Sequence, residues 1–319
     1  MPKPGAGGGV SLSASPIPGF APHRIAKAVN GEPLVLVETA SATSLPSPVR
    51  LENLFVEHGV RCKIWQGNRL VEEGTFTIIR CTAPSVALRH QFFALTTPFL
   101  LALGKDPSPS RVGVVIDGLV DLFRALTRPP RKSIQGLWAE LYLISRAQDC
   151  RSVVGAWHAS PDERYDFATG SQRIEVKSAA GRERRHHFSL EQVSPPAGSV
   201  VLIASVCTER SGGGTSLGQL LSRIRPRLSH DASMLLHLES VVAATLGRTL
   251  LDALGEAYDL QMAEESLRFF DARAIPRPGG TMPFEVSEVR FVADLSRAQP
   301  VDLTEFAGGG GLFAAAQIR

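Results

Sequence analysis

The sequence predicts a mixed α/β protein of the α+β kind, in which a central mixed β-sheet is flanked by helices. Its 319 residues, 44% of them hydrophobic, are enough to bury a substantial core. Segments with an apolar period of two alternate with segments whose apolar residues recur every three or four positions. One nearly unbroken apolar run, residues 199–207, is typical of a strand buried on both faces.

The first 128 residues divide into three predicted stretches. Residues 1–22 are rich in Gly, Pro and Ser, which predicts a disordered tail. Residues 23–128 are predicted to be β-rich first and helical afterwards, because β-branched, alternating segments give way to helical spacing over 85–103 and 110–126. The basic segment RPPRK at 128–132 fits either a domain linker or the turn before the next helix.

Residues 129–305 are predicted to form a second domain. Residues 133–148 are expected to be a helix, and YDFAT and QRIEVKSA are expected to be a hairpin that turns at 169–171. A further helix is expected to open at Ser216, and residues 258–270 are expected to be a strand. Residues 306–319 are predicted to be a flexible C-terminus.

Composition excludes several classes of function. The four cysteines form no CxxC pair, which argues against a disulfide framework or a zinc ribbon. No P-loop, dinucleotide fingerprint or nucleophile elbow is present. No run of about 18 apolar residues and no signal-peptide core is visible, so we expect a cytoplasmic protein with no membrane partner.

The hairpin carries the strongest chemical signal. Glu175 and Lys177 are two residues apart on a predicted strand, so their side chains emerge on one face. Asp166, on the partner strand, can share that face. Two carboxylates and a lysine suit Mg²⁺, which usually takes one or two carboxylates, waters and a substrate phosphate. Only six of the 34 basic residues are Lys, so E-x-K is rarely met by chance, although an ordinary amphipathic strand with solvated charges remains the alternative.

Glu140 lies in the middle of the otherwise apolar helix GLWAELYLIS. A carboxylate beside an apolar face needs a partner or a metal ion, because burying it alone is costly. It is therefore either part of the same site or a helix-surface acid paired with Arg146 or Lys132.

These residues resemble the PD-(D/E)XK nuclease superfamily. The order is a helix with a central Glu, an Asp near a first strand, IEVKS in the second strand, and then a buried strand and a helix. More narrowly, residues 130–230 resemble a bacterial family of PD-(D/E)XK motif proteins associated with restriction and phage defence. The resemblance implies a restriction-endonuclease-like core in residues 129–305.

The resemblance also implies roles for individual residues. Asp166 and Glu175 would be the metal-binding carboxylates, Lys177 the catalytic lysine, Glu140 the auxiliary acid and Gln192 a further catalytic residue. Gln192 could equally belong to a surface turn. Tyr165 precedes Asp166 where the motif has Pro, whereas the literal Pro161-Asp162 pair lies earlier in a loop-like stretch, so Asp166 is the preferred ligand.

A basic segment, GRERRHH, follows the predicted catalytic strand. Its side chains could hold DNA phosphates on either side of the scissile bond, or the segment could be a solvated charged turn. The candidate DNA-binding residues are Arg182, Arg184, Arg185, His186 and His187.

The resemblance therefore implies a Mg²⁺-dependent DNA endonuclease, with Mn²⁺ as a substitute ion, in a bacterial restriction or phage-defence system. DNA is the expected partner, and subunits of a defence system are further candidates. Two active sites would suit cleavage of both DNA strands, so a homodimer is a further candidate assembly. The alternative is a non-catalytic nuclease-fold subunit that binds DNA or a protein partner in a defence complex.

Overall fold

The computed structural model describes residues 10–17, 22–28, 30–38, 46–66, 68–104, 107–158, 163–279, 283, 285–306, 308 and 310–318. The chain divides into two compact units, Met1–Arg128 and Pro129–Arg319.

The first unit contains a small β-barrel. Its strands are β1 (Val10–Pro16), β2 (Arg24–Lys27), β3 (Pro33–Glu38), β4 (Val49–Arg50), β5 (Leu54–Gln66) and β6 (Arg69–Cys81). They pair in the order β1-β2-β3-β6-β5-β4, and a parallel pairing of β1 with β5 closes the ring. Leu36, Cys62 and Phe76 are among the apolar side chains buried together by these strands.

The prediction of a disordered tail over 1–22 is wrong for Val10–Pro16, which form β1. The segment VSLSASP alternates, and it buries Leu12 and Ala14 in the barrel core while the flanking serines face outward. Pairing with two neighbouring strands satisfies its backbone groups, and this outweighs the local Gly, Pro and Ser composition.

Two helices follow the barrel, α1 (Val86–Leu103) and α2 (Pro109–Ala125), capped by Ser85 and Ser108. Among the described residues, Val86–Leu103 and Ala232–Ala253 are long and apolar enough to cross a membrane. About half of each apolar window is buried inside the protein (50% and 56%), as in core helices of soluble proteins, so length and composition are weak evidence for a span. The absence of a membrane partner stays a prediction.

The second unit is a mixed α/β domain. Its strands are β7 (Phe167–Thr169), β8 (Gln172–Ala180), β9 (Arg185–Ser189), β10 (Val200–Thr208), β11 (Arg210–Ser216), β12 (Ala257–Tyr258), β13 (Arg268–Asp271) and β14 (Arg290–Asp294). Its helices are α3 (Ile134–Arg146), α4 (Cys150–Ala156), α5 (Leu217–Ile224), α6 (Ala232–Leu246), α7 (Leu250–Ala253), α8 (Leu260–Ser266), α9 (Leu303–Phe306) and α10 (Gly311–Ala315).

The central sheet of this unit has the order β13-β10-β8-β7. β8 and β10 are parallel, whereas β7 and β13 are antiparallel to their neighbours, so the sheet is mixed as predicted. Helix α3 packs against β8, and α8 packs against β10. β10 is buried along almost its whole length, which is the reason for its unbroken apolar sequence.

Two local predictions for this unit are wrong. The C-terminus is not flexible throughout, because α10 buries Leu312 and Phe313 and the backbone of Ile318 bridges to Ala147. Within 258–270, the segment Leu260–Ser266 is a helix capped by Asp259, and the strand begins only at Arg268.

Candidate active site

The hairpin of β7 and β8 carries the site. The chain reverses at Gly170, whose φ of +51° suits glycine, and Thr169 pairs with Gln172. On β8, Glu175 and Lys177 share a face, as the strand period of two predicts. Asp166 immediately precedes β7, and its carboxylate reaches β8 by accepting a hydrogen bond from the backbone N–H of Val176 at 2.8 Å.

Glu175 is buried, and its two oxygens differ. Oε1 lies 2.7 Å from Lys177 Nζ and accepts a hydrogen bond from Gln192 Nε2 at 2.6 Å. Oε2 is buried with no hydrogen-bond partner. One oxygen is thus fixed by protein donors, and the other is an unused acceptor.

Gln192 lies in the turn that follows β9, and from there its side chain reaches into this site. Its Oε1 accepts hydrogen bonds from Lys177 Nζ at 3.0 Å and from the backbone N–H of Ser189 at 3.2 Å. Its Nε2 donates to Glu175, so the amide can have only this orientation: oxygen toward the ammonium and nitrogen toward the carboxylate. Gln192 therefore holds the acid and the lysine in register.

Lys132 joins two further carboxylates. Its Nζ lies 2.8 Å from Glu140 Oε1 and 2.5 Å from Asp166 Oδ1. The other oxygen of Glu140 accepts a hydrogen bond from Trp157 Nε1 at 2.7 Å, and Glu140 is only 3% exposed. Glu140 pairs with Lys132 as one interpretation of the sequence expected, but it is buried rather than on the helix surface, and its part in a metal site stays a prediction. Arg146, the other candidate, pairs with Glu264.

Burial and mutual repulsion dominate the electrostatics. Burial, followed by the charge of Asp166, raises the pKa of Glu175 to about 8 against the opposing effect of Lys177. The same two causes, in the same order, raise the pKa of Glu140 to about 7. Burial alone would lower the pKa of Lys132, but the Asp166 and Glu140 carboxylates outweigh it and hold that pKa above its usual value. With all three carboxyl groups ionised, the site would carry one more negative charge than its two lysines neutralise.

The donor set fits a hard divalent cation. No cluster of three His, Cys, Asp or Glu side chains placed to hold a metal ion occurs within the part of the chain that the structure describes. Mg²⁺ usually takes only one or two carboxylates and keeps several waters. Asp166 and Glu175 supply those carboxylates, and the partnerless Glu175 Oε2 is an acceptor of the required kind.

The basic segment separates into two faces. β9 alternates, so Arg185 and His187 are exposed whereas His186 is 2% exposed and shares a 2.8 Å hydrogen bond with Ser205 Oγ. Burial, helped by Lys177 and Arg184, lowers the pKa of His186 to about 4. Buried and neutral, His186 cannot contact DNA phosphates, and that prediction is wrong.

Arg184 is also occupied within the protein. Its guanidinium donates to the carbonyl and hydroxyl oxygens of Ser205 at 3.1 and 2.8 Å, and to the carbonyl of Ser266. It therefore fixes the start of β9 against β10, and its role in DNA binding stays a prediction. Arg182 is exposed.

A cavity of about 570 Å³ opens beside the site. Lys177 and Gln192 line it, together with the basic side chains of Arg164, His187 and Arg290. Sequence analysis missed Arg164 and Arg290. Arg164 precedes the motif, and Arg290 lies on β14, about a hundred residues beyond it. The pairing of β9 with β14 brings Arg290 close to the site. The predicted alternative ligand Asp162, with Pro161, lies outside the described residues.

An acid before the first strand, E-x-K on the second, and a Glu-bearing helix packed on a mixed sheet are the arrangement expected of a PD-(D/E)XK protein, a class of nuclease-type hydrolases. A family model described as "Putative PD-(D/E)XK family member, (DUF4420)" matches residues 13–296. The match extends over most of the chain, so the protein belongs to this family. No curated protein and no solved structure matches the chain.

Proposed function

We propose that the protein is a metal-dependent DNA endonuclease that hydrolyses phosphodiester bonds with Mg²⁺ or Mn²⁺, in a bacterial restriction or phage-defence system. The observation that carries the proposal is Glu175. Its Oε1 is held by Lys177 and Gln192, while its buried Oε2 is an acceptor without a donor beside a second carboxylate, Asp166. A buried oxygen left in this state is costly unless a cation completes it.

The site residues have different proposed roles in hydrolysis. Asp166 and Glu175 would hold the ion, which supplies a Lewis acid for a phosphoryl oxygen and lowers the pKa of a bound water. Lys177, held by Gln192 and stacked over the Phe188 ring at 5.3 Å, would orient the attacking water and offset charge in the transition state.

Basic side chains in the cavity offer contacts for a polyanionic substrate. Arg164, His187 and Arg290 line it together with Lys177, and these side chains can contact phosphates flanking the scissile bond. Three acidic residues also line the cavity, so its surface is mixed in charge: Glu163, Glu191 and Glu288. Arg185 on β9 and Arg182 before it are also exposed, and both stay candidates for phosphate contacts. We propose DNA, rather than another polyphosphate, as the substrate.

The test is cleavage of supercoiled plasmid by the purified full chain with Mn²⁺, comparing the wild type with Lys177→Met and Asp166→Ala. We expect the wild type to nick the plasmid and both variants to lose at least about a hundredfold in rate. The matched control is Lys63→Met, which removes a lysine paired with Glu73 in the barrel and should cut normally.

Cleavage by Lys177→Met at the wild-type rate would refute the assignment. Wild-type protein that binds Mn²⁺ and DNA without cutting either strand would instead favour the non-catalytic subunit.

A further inference from the structure

Lys132 occupies the site in an unusual way. Asp166 and Glu140 each have one oxygen anchored by a neutral donor, the Val176 N–H and the Trp157 Nε1 respectively. The remaining oxygen of each is on the same Lys132 ammonium. The ammonium thus takes the two carboxylate oxygens that no neutral protein donor holds.

The side chain of Lys132 can reach into the site from the surface and can return to solvent. It is 42% exposed, whereas its two partners are 4% and 10% exposed. Lys132 also lies just before the first turn of α3, so rotation about its own side-chain bonds can carry the ammonium to solvent without moving a buried element. A buried structural ion pair would not have this freedom.

A divalent ion and the ammonium cannot both hold Asp166 without penalty. Mg²⁺ binds carboxylate oxygens at about 2.0–2.1 Å. Asp166 Oδ2 already accepts a hydrogen bond from Val176, and Oδ1, which has no neutral donor, has the ammonium at 2.5 Å. Two cations on one carboxylate repel each other strongly in a largely buried site.

Building on the proposed metal-dependent function, we propose that Lys132 is a tethered cation that neutralises Asp166 and Glu140 until a divalent ion displaces it from Asp166. Lys132 is then a positioning residue that keeps the metal-free site folded and at the same time weakens its affinity for the ion. The lysine and the metal ion compete for the same charge.

The test is calorimetric titration of the full chain with MnCl₂, for the wild type, Lys132→Met, Lys132→Arg and the control Lys63→Met. Methionine keeps the length of the side chain and removes its charge. We expect Lys132→Met to bind Mn²⁺ about tenfold more tightly, which corresponds to about 1.4 kcal/mol. Lys132→Arg, which restores the charge, should return the Kd toward the wild-type value. The control lysine is equally exposed, at 42%, and should leave the Kd unchanged.

A second pair of variants covers failure of Lys132→Met to fold, since that variant leaves two buried carboxylates without their cation. Glu140→Gln removes one of these charges, so Glu140→Gln with and without Lys132→Met gives the same comparison in a less charged site. The expected tightening is again about tenfold.

The outcomes separate the two proposals. Equal or weaker Mn²⁺ binding by Lys132→Met, together with wild-type binding that Glu175→Gln abolishes, would overturn the role of Lys132 and leave the metal site intact. Absence of Mn²⁺ binding in every variant would overturn the proposed metal-dependent function, and the competition with it.

Discussion

Replacing Glu175 with Gln should stabilise the metal-free protein while removing its response to metal. Glu175 is 4% exposed, and its Oε2 has no hydrogen-bond partner. Gln keeps the shape and one acceptor oxygen but carries no charge to desolvate. In a site that binds a cation, Glu175 lowers the free energy of unfolding whenever the cation is absent.

The magnitude follows from the pKa. The pKa of Glu175 is raised from its usual value of 4.5 to about 8, so the folded state retains a proton that the unfolded chain releases. Between these two values the free energy of unfolding falls by about 1.4 kcal/mol per pH unit. The loss relative to acid pH is about 2 kcal/mol at pH 6 and about 4 kcal/mol at pH 8. The stabilisation by Glu175→Gln should therefore grow by about 2 kcal/mol between pH 6 and pH 8.

The assay is urea unfolding in EDTA, followed by tryptophan fluorescence. Trp138 and Trp157 lie in the second unit, and Trp65 lies in the barrel. A Trp65→Phe background confines the signal to the unit that carries the site. Repeating the titration with Mn²⁺ should raise the wild-type free energy of unfolding and leave that of Glu175→Gln unchanged.

Glu239 provides the matched control. It is as buried as Glu175, at 3% exposed, but both of its oxygens are paired with Arg225 at 2.7 and 2.9 Å. Glu239→Gln should therefore destabilise the protein by about 3 kcal/mol at either pH, since it leaves a largely buried guanidinium unpaired. The reasoning is refuted if Glu175→Gln is no more stable than the wild type at pH 8, or if its advantage does not grow with pH.

Two further predictions concern β9. The pKa of His186 is lowered from 6.5 to about 4, so its contribution to stability is complete above pH 6.5 and is lost as the pH falls toward 4. From pH 7 to pH 4, urea titrations should show the wild type losing about 3 kcal/mol more than His186→Gln; equal losses would contradict the lowered pKa. For the arginines, the readouts are the Tm and the slope of log K for DNA binding against log salt concentration. Arg184→Gln should lower the Tm and leave this salt slope unchanged. Arg185→Gln should leave the Tm unchanged and reduce the magnitude of the salt slope by about one. Fluorescence anisotropy at several salt concentrations measures that slope.

Local sequence pattern was sufficient where one element decides the outcome. The alternation in β8 placed Glu175 and Lys177 on one face, and the hairpin allowed Asp166 to share that face, as it does in the register of β7 with β8. The unbroken apolar run of β10 indicated a strand covered on both sides. Ser216, with Gln219 three residues later, forms the capping box that begins α5.

The wrong predictions have a common physical origin. In GRERRHH, charge was considered without strand period, yet the alternation that exposes Arg185 and His187 necessarily buries His186. In the N-terminal segment, composition was given precedence over the alternation that places Leu12 in the barrel. At the C-terminus, the burial of Phe313 depends on packing partners that are remote in sequence.

The position of Lys132 between Glu140 and Asp166 could not be predicted from the sequence. It is eight residues from Glu140, a distance at which a pairing can be considered, but 34 residues from Asp166, and no periodicity connects those two positions. Only the packing of α3 against β8 brings the ammonium to both carboxylates. Asp166 then has two partners, since the backbone of β8 fixes one oxygen and Lys132 holds the other, and its charge also acts on Glu175. A divalent ion bound to this carboxylate is repelled by the ammonium on the same group, and Lys132, which is 42% exposed, is the partner that can move away without unfolding the sheet.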